Sequence, residues 1–250
     1  MAWFVATEYK DSDEGTYWYP DFKSIPAEQT RFDAMCKAVA ADVYAKWEAE
    51  GEIADTPDHP ENHEVDGASR LLWGRRFPMP DRPFQTQFVH EQTEPLVDIV
   101  GTPFGYGLSQ KVIDMIESIE PGVHQYLPLE FLNPDGSISP EKRWLLNITT
   151  RAETVKTDES NVVWFKDVNG EDYEFSPRKY GDLTANGGKR QIVIDAQKSA
   201  NRALWKEWRY RTPGGLGFMV SDRLWTMIQD AGVRGWSTAF ITDNTHMEER

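Results

Sequence analysis

The sequence predicts an α+β fold with a mainly antiparallel sheet and a few amphipathic helices, forming one domain or two closely packed subdomains. Two observations carry this prediction. Short apolar stretches of β character follow one another with turn signals between them, which favours antiparallel pairing. Other stretches repeat apolar residues at spacings of three and four, which is typical of helices that bury one face.

Residues 1–100 are expected to form an acidic N-terminal subdomain. Residues 2–9 alternate loosely between apolar and polar side chains and predict a strand. Residues 28–49 predict a long helix whose apolar stripe includes Cys36, so we expect this thiol to be a core residue and not a nucleophile. The remaining residues are rich in proline and predict long ordered loops with one or two edge strands, or a flexible connection between subdomains. Residues 84–89 are a short apolar island in this stretch.

Two capped helices are the clearest features of residues 101–250, the second expected subdomain. Residues 108–120 contain Ser109, whose hydroxyl can accept a hydrogen bond from an unpaired amide of the first turn. Residues 221–231 repeat this pattern, and Gly232 suits the left-handed conformation that ends a helix. We therefore expect the same device twice, a short strand leading directly into a capped helix.

The strands predicted in this second half are at residues 125–131, 143–149, 191–195, 218–220 and 238–241. Asn133–Gly136 predicts a turn between the first two strands. Val162–Phe165 and Tyr173–Phe175 flank a turn sequence and predict a β-hairpin. Residues 196–211 fit a helix or a strand equally well, and residues 243–250 are expected to fray.

The composition limits the classes of function. A formal net charge of -14 repels phosphate backbones, so a general nucleic-acid binder is not expected. The chain has no long apolar run, which disfavours a membrane-spanning protein. Its first residues lack the basic start of a signal peptide, so we expect a cytoplasmic protein. A single cysteine excludes an internal disulfide and a four-thiolate zinc site.

Acidic residues are concentrated in the first half. Residues 1–100 contain 9 Lys/Arg and 20 Asp/Glu, a net charge of -11. Trp47–Asp66, called here the acidic segment, contains eight carboxylates and no Lys or Arg: Glu48, Glu50, Glu52, Asp55, Asp58, Glu61, Glu64 and Asp66. Two interpretations stay open: a solvated surface loop, and an electrostatic contact for a basic partner. These eight residues are the candidate partner-binding site.

No catalytic residue, metal site or cofactor is predicted. The common nucleophile, phosphate-loop and dinucleotide-binding motifs do not occur. His59 and His63 have the spacing of a shared metal site on a helix, but Pro60 disfavours the helical conformation there. His124 is expected to be a structural histidine. The basic, aromatic stretch around Trp205 and Trp208 suits a protein interface better than nucleic acid.

The order of segments in the second half resembles the immunity protein 11 family, which is associated with bacterial polymorphic-toxin and contact-dependent competition systems. The resemblance covers roughly residues 105–241 and is carried by Leu108–Ile119, Gly122–Glu130, Trp144–Ile148, Val155–Ser160 and Phe218–Gly235. It implies a cytoplasmic, non-enzymatic protein that blocks a cognate toxin by binding it. It carries over no catalytic residue and no cofactor.

An acidic inhibitor would fit a basic toxin, with nucleases as one candidate class, because a nuclease groove must hold phosphates. Two alternatives stay open: an enzyme that reverses a modification made by a toxin, and a small-molecule-binding module whose tryptophans line a pocket. The sequence leaves the oligomeric state undetermined.

Overall fold

The fold is taken from a computed structural model. It describes residues 2–7, 21–39, 41, 75–92, 95–160, 162–166, 172–177, 192–207, 218–237 and 246–249. For residues 2–7, 162–166, 172–177, 237 and 246–249 the description covers the backbone.

The described elements are fifteen strands and four helices, which confirms the predicted α+β class. In chain order they are β1 (Ala2–Thr7), β2 (Phe22–Lys23), α1 (Pro26–Val39), β3 (Phe84–Phe88), β4 (Ile99–Thr102), β5 (Gly105–Leu108), α2 (Gln110–Ile119), β6 (Gln125–Leu132), β7 (Ile138–Asn147), β8 (Arg151–Ala152), β9 (Val162–Lys166), β10 (Asp172–Pro177), β11 (Val193–Ile194), α3 (Ala196–Ser199), β12 (Leu204–Glu207), β13 (Phe218–Ser221), α4 (Asp222–Asp230), β14 (Trp236–Ser237) and β15 (His246–Glu249).

A six-stranded sheet has the strand order β2-β3-β6-β7-β5-β4. Its pairs are antiparallel except β3 with β6, which run parallel. The predicted turn at Asn133–Gly136 joins β6 to β7, and the amide of Gly136 donates to the carbonyl of Asn133 at 2.9 Å. The apolar island at residues 84–89 contains β3, which lies between β2 and β6.

A second, seven-stranded sheet curls until its two edges meet. Its order is β11-β15-β1-β13-β12-β8, and β14 also pairs with β1. Val155, which follows β8, bridges Ile194 of β11. On either side of this bridge, the amide of Asp195 donates to Thr154 O at 2.7 Å and that of Lys156 to Val193 O at 2.9 Å. Backbone hydrogen bonds therefore close the sheet into a ring.

The end of the chain is part of this ring. Residues 243–250 were expected to fray. For residues 246–249 this prediction is wrong, because β15 lies between β1 and β11. Its backbone pairs antiparallel with β1 and parallel with β11. A strand paired on both sides is held by backbone hydrogen bonds, whatever its side chains are. The strand predicted at 238–241 lies outside the described residues.

One core lies between α1 and the six-stranded sheet. Phe32 of α1 contacts Phe84 edge to face at a centroid distance of 5.4 Å, and Cys36 is 6% exposed, as predicted for a core residue. The buried members of this core are Cys36, Phe77, Phe84, Phe88, Leu96, Val100, Leu127, Leu129, Phe131 and Leu145. Helix α1 ends at Val39, and Ala41 is also helical. The rest of the predicted continuation to residue 49 lies outside the described residues.

A second core lies on the other face of that sheet and joins the two sheets. It is built around α2 and α4, and includes Leu108, Val112, Ile116, Leu204, Phe218, Val220, Leu224 and Ile228, each at most 1% exposed. The two helices also contact directly, since Nζ of Lys111 donates to Ala231 O at 2.7 Å. The sheets meet again where the amide of Ile99 donates to Arg234 O at 3.0 Å.

The two serines expected to cap these helices behave differently. The hydroxyl of Ser221 accepts from the amide of Leu224 at 3.2 Å, as predicted. The hydroxyl of Ser109 makes no such bond, and instead donates to the carboxylate of Asp98 at 2.9 Å. This charge-assisted bond holds the Ser109 side chain toward Asp98.

Other local predictions agree with the structure. Strands β9 and β10 form the predicted antiparallel hairpin. Gly232 has a φ of +61°, the left-handed conformation expected after α4. The ambiguous 196–211 stretch contains both a short helix, α3, and a strand, β12. The division near residue 100 stays a prediction; in both sheets, strands from before that residue pair with strands from after it.

Candidate functional site

The acidic segment, with all eight candidate residues, lies outside the described part of the chain. The described residues on either side of it nevertheless meet. Nη1 of Arg75 donates a hydrogen bond of 2.8 Å to the carbonyl oxygen of Val39, the last residue of α1. The chain that carries the acidic segment therefore leaves and re-enters the described structure at one point, called here the root.

Hydrogen bonds fix the root to one end of the six-stranded sheet. Nη2 of Arg76 donates to the carbonyl oxygens of Gly122 and Val123, both at 2.7 Å. The backbone of Phe77 pairs with the side-chain amide of Gln125 in both directions, at 2.8 and 2.6 Å. The root thus adjoins the turn between α2 and β6.

Glu120 and His124 form a buried carboxylate–imidazole pair. Nε2 of His124 lies 3.2 Å from Oε2 of Glu120, which also accepts from the amide of Ala203 at 2.8 Å. Burial raises the pKa of Glu120, but the bonds from His124 and Ala203 outweigh it and lower the pKa below 4.5. Glu120 and His124 are 8% and 4% exposed. The pair joins the end of α2 to the start of β12, a structural role as expected for His124.

A second buried carboxylate, Glu207, lies on the face of β12 opposite the core that contains α2 and α4. It accepts from the amide of Thr154 at 2.9 Å, from the Thr154 hydroxyl at 2.6 Å, and from the amide of Val155 at 3.3 Å. Burial raises its pKa, which these hydrogen bonds offset only in part. All of these partners belong to the segment that closes the ring, so Glu207 holds that closure.

Trp205 was expected at a protein interface, and this prediction is wrong. Its side chain is 0% exposed, and its indole Nε1 donates to the hydroxyl of Thr154 at 3.0 Å. Alternation along β12 turns Trp205 and Glu207 to the same side of the strand. The sequence of this stretch does not reveal the burial, because it depends on the distant segment around Thr154. Trp208 lies outside the described residues.

Neither a reactive thiol nor a metal cluster is found in the described part of the chain. Burial raises the pKa of Cys36 to about 12, so its sulfur is protonated and unreactive at neutral pH. Among the described residues, no group of three or more His, Cys, Asp or Glu could hold a metal ion. His59 and His63 lie outside these residues.

Sequence reasoning missed a part of the six-stranded sheet that none of the described helices covers. One cross-strand row runs Lys23, Gln87, Leu132, Ile138 over β2, β3, β6 and β7. A second row runs Gln85, Glu130, Lys142. These two rows, with the exposed Val89 beyond β3, are called here the open face. Its signal in the sequence is weak, since the same strands carry core residues further along.

Comparison with protein families identifies the chain. A model of the Immunity protein family (Imm11) matches residues 28–242, most of the 250 residues. The chain belongs to this immunity protein family. The resemblance noted from the segment order is therefore confirmed, and the match is longer than expected, since it begins well before residue 105. A search of curated proteins found no match.

Membership of the immunity protein family implies that this chain neutralises a toxin. The matched range includes the acidic segment, the strands β3 to β7 and both large cores. Among the described residues, no helix is both long enough and apolar enough to cross a membrane.

Proposed function

We propose that this immunity protein neutralises its cognate toxin by binding it stoichiometrically and covering the surface the toxin needs for activity. The observation that carries the proposal is the family match over residues 28–242. The buried carboxylates support binding over catalysis, because Glu120 and Glu207 are engaged in hydrogen bonds that hold the fold. A standard protein interface buries about 800 Å² per partner, which a chain of this size readily provides.

The toxin is a basic protein in this proposal, and a nuclease is the class that fits best. A net charge of -14 creates a field that attracts a basic partner and speeds association. The acidic segment is the strongest local source of that field, with eight carboxylates and no Lys or Arg. The interaction takes place in the cytoplasm, where the toxin would otherwise act.

Protection should require at least one molecule of this protein per molecule of toxin. The test is co-expression with the toxin encoded by the adjoining gene, followed by titration of the purified proteins against toxin activity. Complete inhibition at a ratio near one supports stoichiometric binding. Protection at a ratio far below one would contradict it and favour an enzyme that reverses the toxin's product. Persistent toxicity with soluble protein present would contradict toxin neutralisation itself.

Reversing the charge of Glu48, Glu50, Glu52 and Asp55 to lysine should slow association with the toxin by about ten-fold or more at low salt. These residues attract a basic partner at long range, so the dissociation rate should change much less. Stopped-flow association rates over a salt series provide the measurement. The matched control reverses four carboxylates of the second half, Asp114, Asp158, Glu159 and Asp230, which keeps the same net charge. Equal effects of both variants would remove the acidic segment from the site.

A further inference from the structure

The loop that enters β3 carries an exposed apolar end. Residues 78–83, called here the tip loop, lie between Phe77, which is buried in the core beside α1, and Phe84, the first residue of β3. Within this loop Met79 is 62% exposed, and Pro78 beside it is also exposed. Large apolar side chains in solvent gain free energy when a partner covers them, which makes the tip loop a candidate contact.

Both ends of the tip loop are tied to distant parts of the fold. At its start, the backbone of Phe77 exchanges two hydrogen bonds with the side chain of Gln125, on β6. At its end, the guanidinium group of Arg31, on α1, donates to the carbonyl oxygens of Arg82 at 3.1 Å and of Pro83 at 2.7 Å. The loop is therefore anchored to a strand and a helix that are far from it in the chain.

Between these anchors, prolines restrict the backbone. Pro78, Pro80 and Pro83 each fix their own φ at about −65°. The residue before a proline is held in extended conformations, and Met79 precedes Pro80. Most of the backbone entropy that a flexible loop loses on binding is therefore already lost on folding. The side chain of Met79 stays adaptable, which suits an irregular apolar pocket.

The charged groups beside Met79 leave the contact mainly apolar. Arg82 forms an ion pair with the buried carboxylate of Glu28, which Arg31 also bonds at 2.6 Å. Asp81 adds one exposed carboxylate next to Arg82. These charges nearly balance, so they select neither a strongly basic nor a strongly acidic surface. The gain on binding comes from covering Pro78 and Met79.

The toxin is the occupant to which the family and the position of the loop point. The immunity protein family implies a toxin partner, and its match over residues 28–242 includes the tip loop. The loop also begins three residues after Arg75, which forms the root. Nine residues separate Arg75 from Asp66 and span at most about 32 Å. A toxin attracted by the acidic segment is thus within reach of Met79, and linked contacts on one molecule strengthen each other.

We infer that Met79, held in place by the anchored, proline-rich tip loop, inserts into an apolar pocket of the toxin. This inference rests on the proposed function and adds a short-range contact to the long-range attraction of the acidic segment. The two contributions differ in kinetics, because an inserted side chain slows dissociation whereas separated charges speed association.

Met79→Ser is the variant that tests this contact, because it removes the apolar side chain without changing the net charge. Ile138→Ser is the matched control, since Ile138 is also 62% exposed and lies toward the end of β3 that the tip loop does not enter. Biolayer interferometry with the immobilised toxin of the adjoining gene measures binding. We expect Met79→Ser to raise the dissociation constant at least ten-fold, mainly through faster dissociation, and Ile138→Ser to change it less than two-fold.

Two further variants separate the pocket from the loop. Met79→Leu keeps an apolar side chain of similar size and should bind within about three-fold of the wild type. Pro80→Gly keeps Met79 but frees its backbone, and should raise the dissociation constant three-fold or more. Urea unfolding midpoints close to that of the wild type establish that each variant is folded.

The outcomes distinguish the inference from the proposed function. If the wild type binds and Met79→Ser binds equally well, or no worse than Ile138→Ser, the inference is overturned and the proposed function stands. A loss with Met79→Leu as large as with Met79→Ser, or unchanged binding by Pro80→Gly, also overturns it. If the wild type does not bind the toxin, both fall. If Met79→Ser instead abolishes self-association of the wild type in analytical ultracentrifugation, the occupant is a second copy and the inference is overturned.

Discussion

Gly235→Ala should cost more than about 4 kcal/mol of stability, enough to prevent stable folding of many domains. Gly235 has a φ of +121°, a backbone conformation that residues other than glycine rarely adopt. An added Cβ would lie 1.9 Å from the carbonyl oxygen of Ile99 and 2.7 Å from its carbon. Both are backbone atoms of β4, so the clash can be relieved only by separating the six-stranded sheet from the chain that continues into β14.

The matched control for this substitution is Gly232→Ala. Gly232 also has a positive φ, +61°, but an added Cβ would meet no heavy atom within 4 Å. Its replacement should therefore cost only the backbone penalty, about 1 kcal/mol. Urea unfolding of the two variants separates the clash from the φ preference. Equal unfolding midpoints would show that the chain at Gly235 does not approach Ile99 as closely as described.

Glu207→Ala should destabilise the protein by about 3–5 kcal/mol at neutral pH. The carboxylate accepts hydrogen bonds from two buried amides, Thr154 N and Val155 N, and from the Thr154 hydroxyl. Alanine leaves these donors buried without acceptors and creates a cavity beside Trp205. The same segment closes the seven-stranded sheet, through bonds from the amide of Lys156 to Val193 O and from the amide of Asp195 to Thr154 O. We therefore expect hydrogen exchange to increase first at these two amides.

The size of this effect should depend on pH in a defined direction. Burial raises the pKa of Glu207 above its ordinary value of 4.5, so the folded state binds this proton more tightly than the unfolded state. The stabilisation by Glu207 is complete below pH 4.5 and decreases as the pH rises through the folded-state pKa. Glu207→Ala should therefore cost more at pH 5 than at pH 8. A larger cost at pH 8 would mean that the hydrogen bonds outweigh burial and lower the pKa.

Much of the local structure was predictable because its causes are local. The apolar spacing around Val112 and Ile116 placed α2, and the same spacing with the Ser221 hydroxyl placed α4. The turn at Asn133–Gly136 and the hairpin of β9 and β10 follow from residues within a few positions of one another. The predicted cap at Ser109 is absent, and the Ser109 hydroxyl instead donates a hydrogen bond to Asp98, eleven residues earlier in the chain.

The candidate site was predictable only in part. The acidic segment is evident from the charge count alone, and the family from the order of segments. Where that segment is attached was not evident, because it depends on the bond from Arg75 to Val39 across 36 positions. The open face was missed, because Lys142 and Trp144 alternate in the same pattern although only one of them is covered.

The sequence by itself therefore determined the α+β class, the two amphipathic helices, the acidity and membership of an immunity protein family. Only the tertiary structure decided that the second sheet closes at Val155 and Ile194, and that residues 246–249 enter it as β15. It also decided that no described helix covers one end of the first sheet. The physical reason is that periodicity and turns act between near neighbours. Strand pairing uses backbone groups common to all residues, and burial depends on which distant segment packs on top.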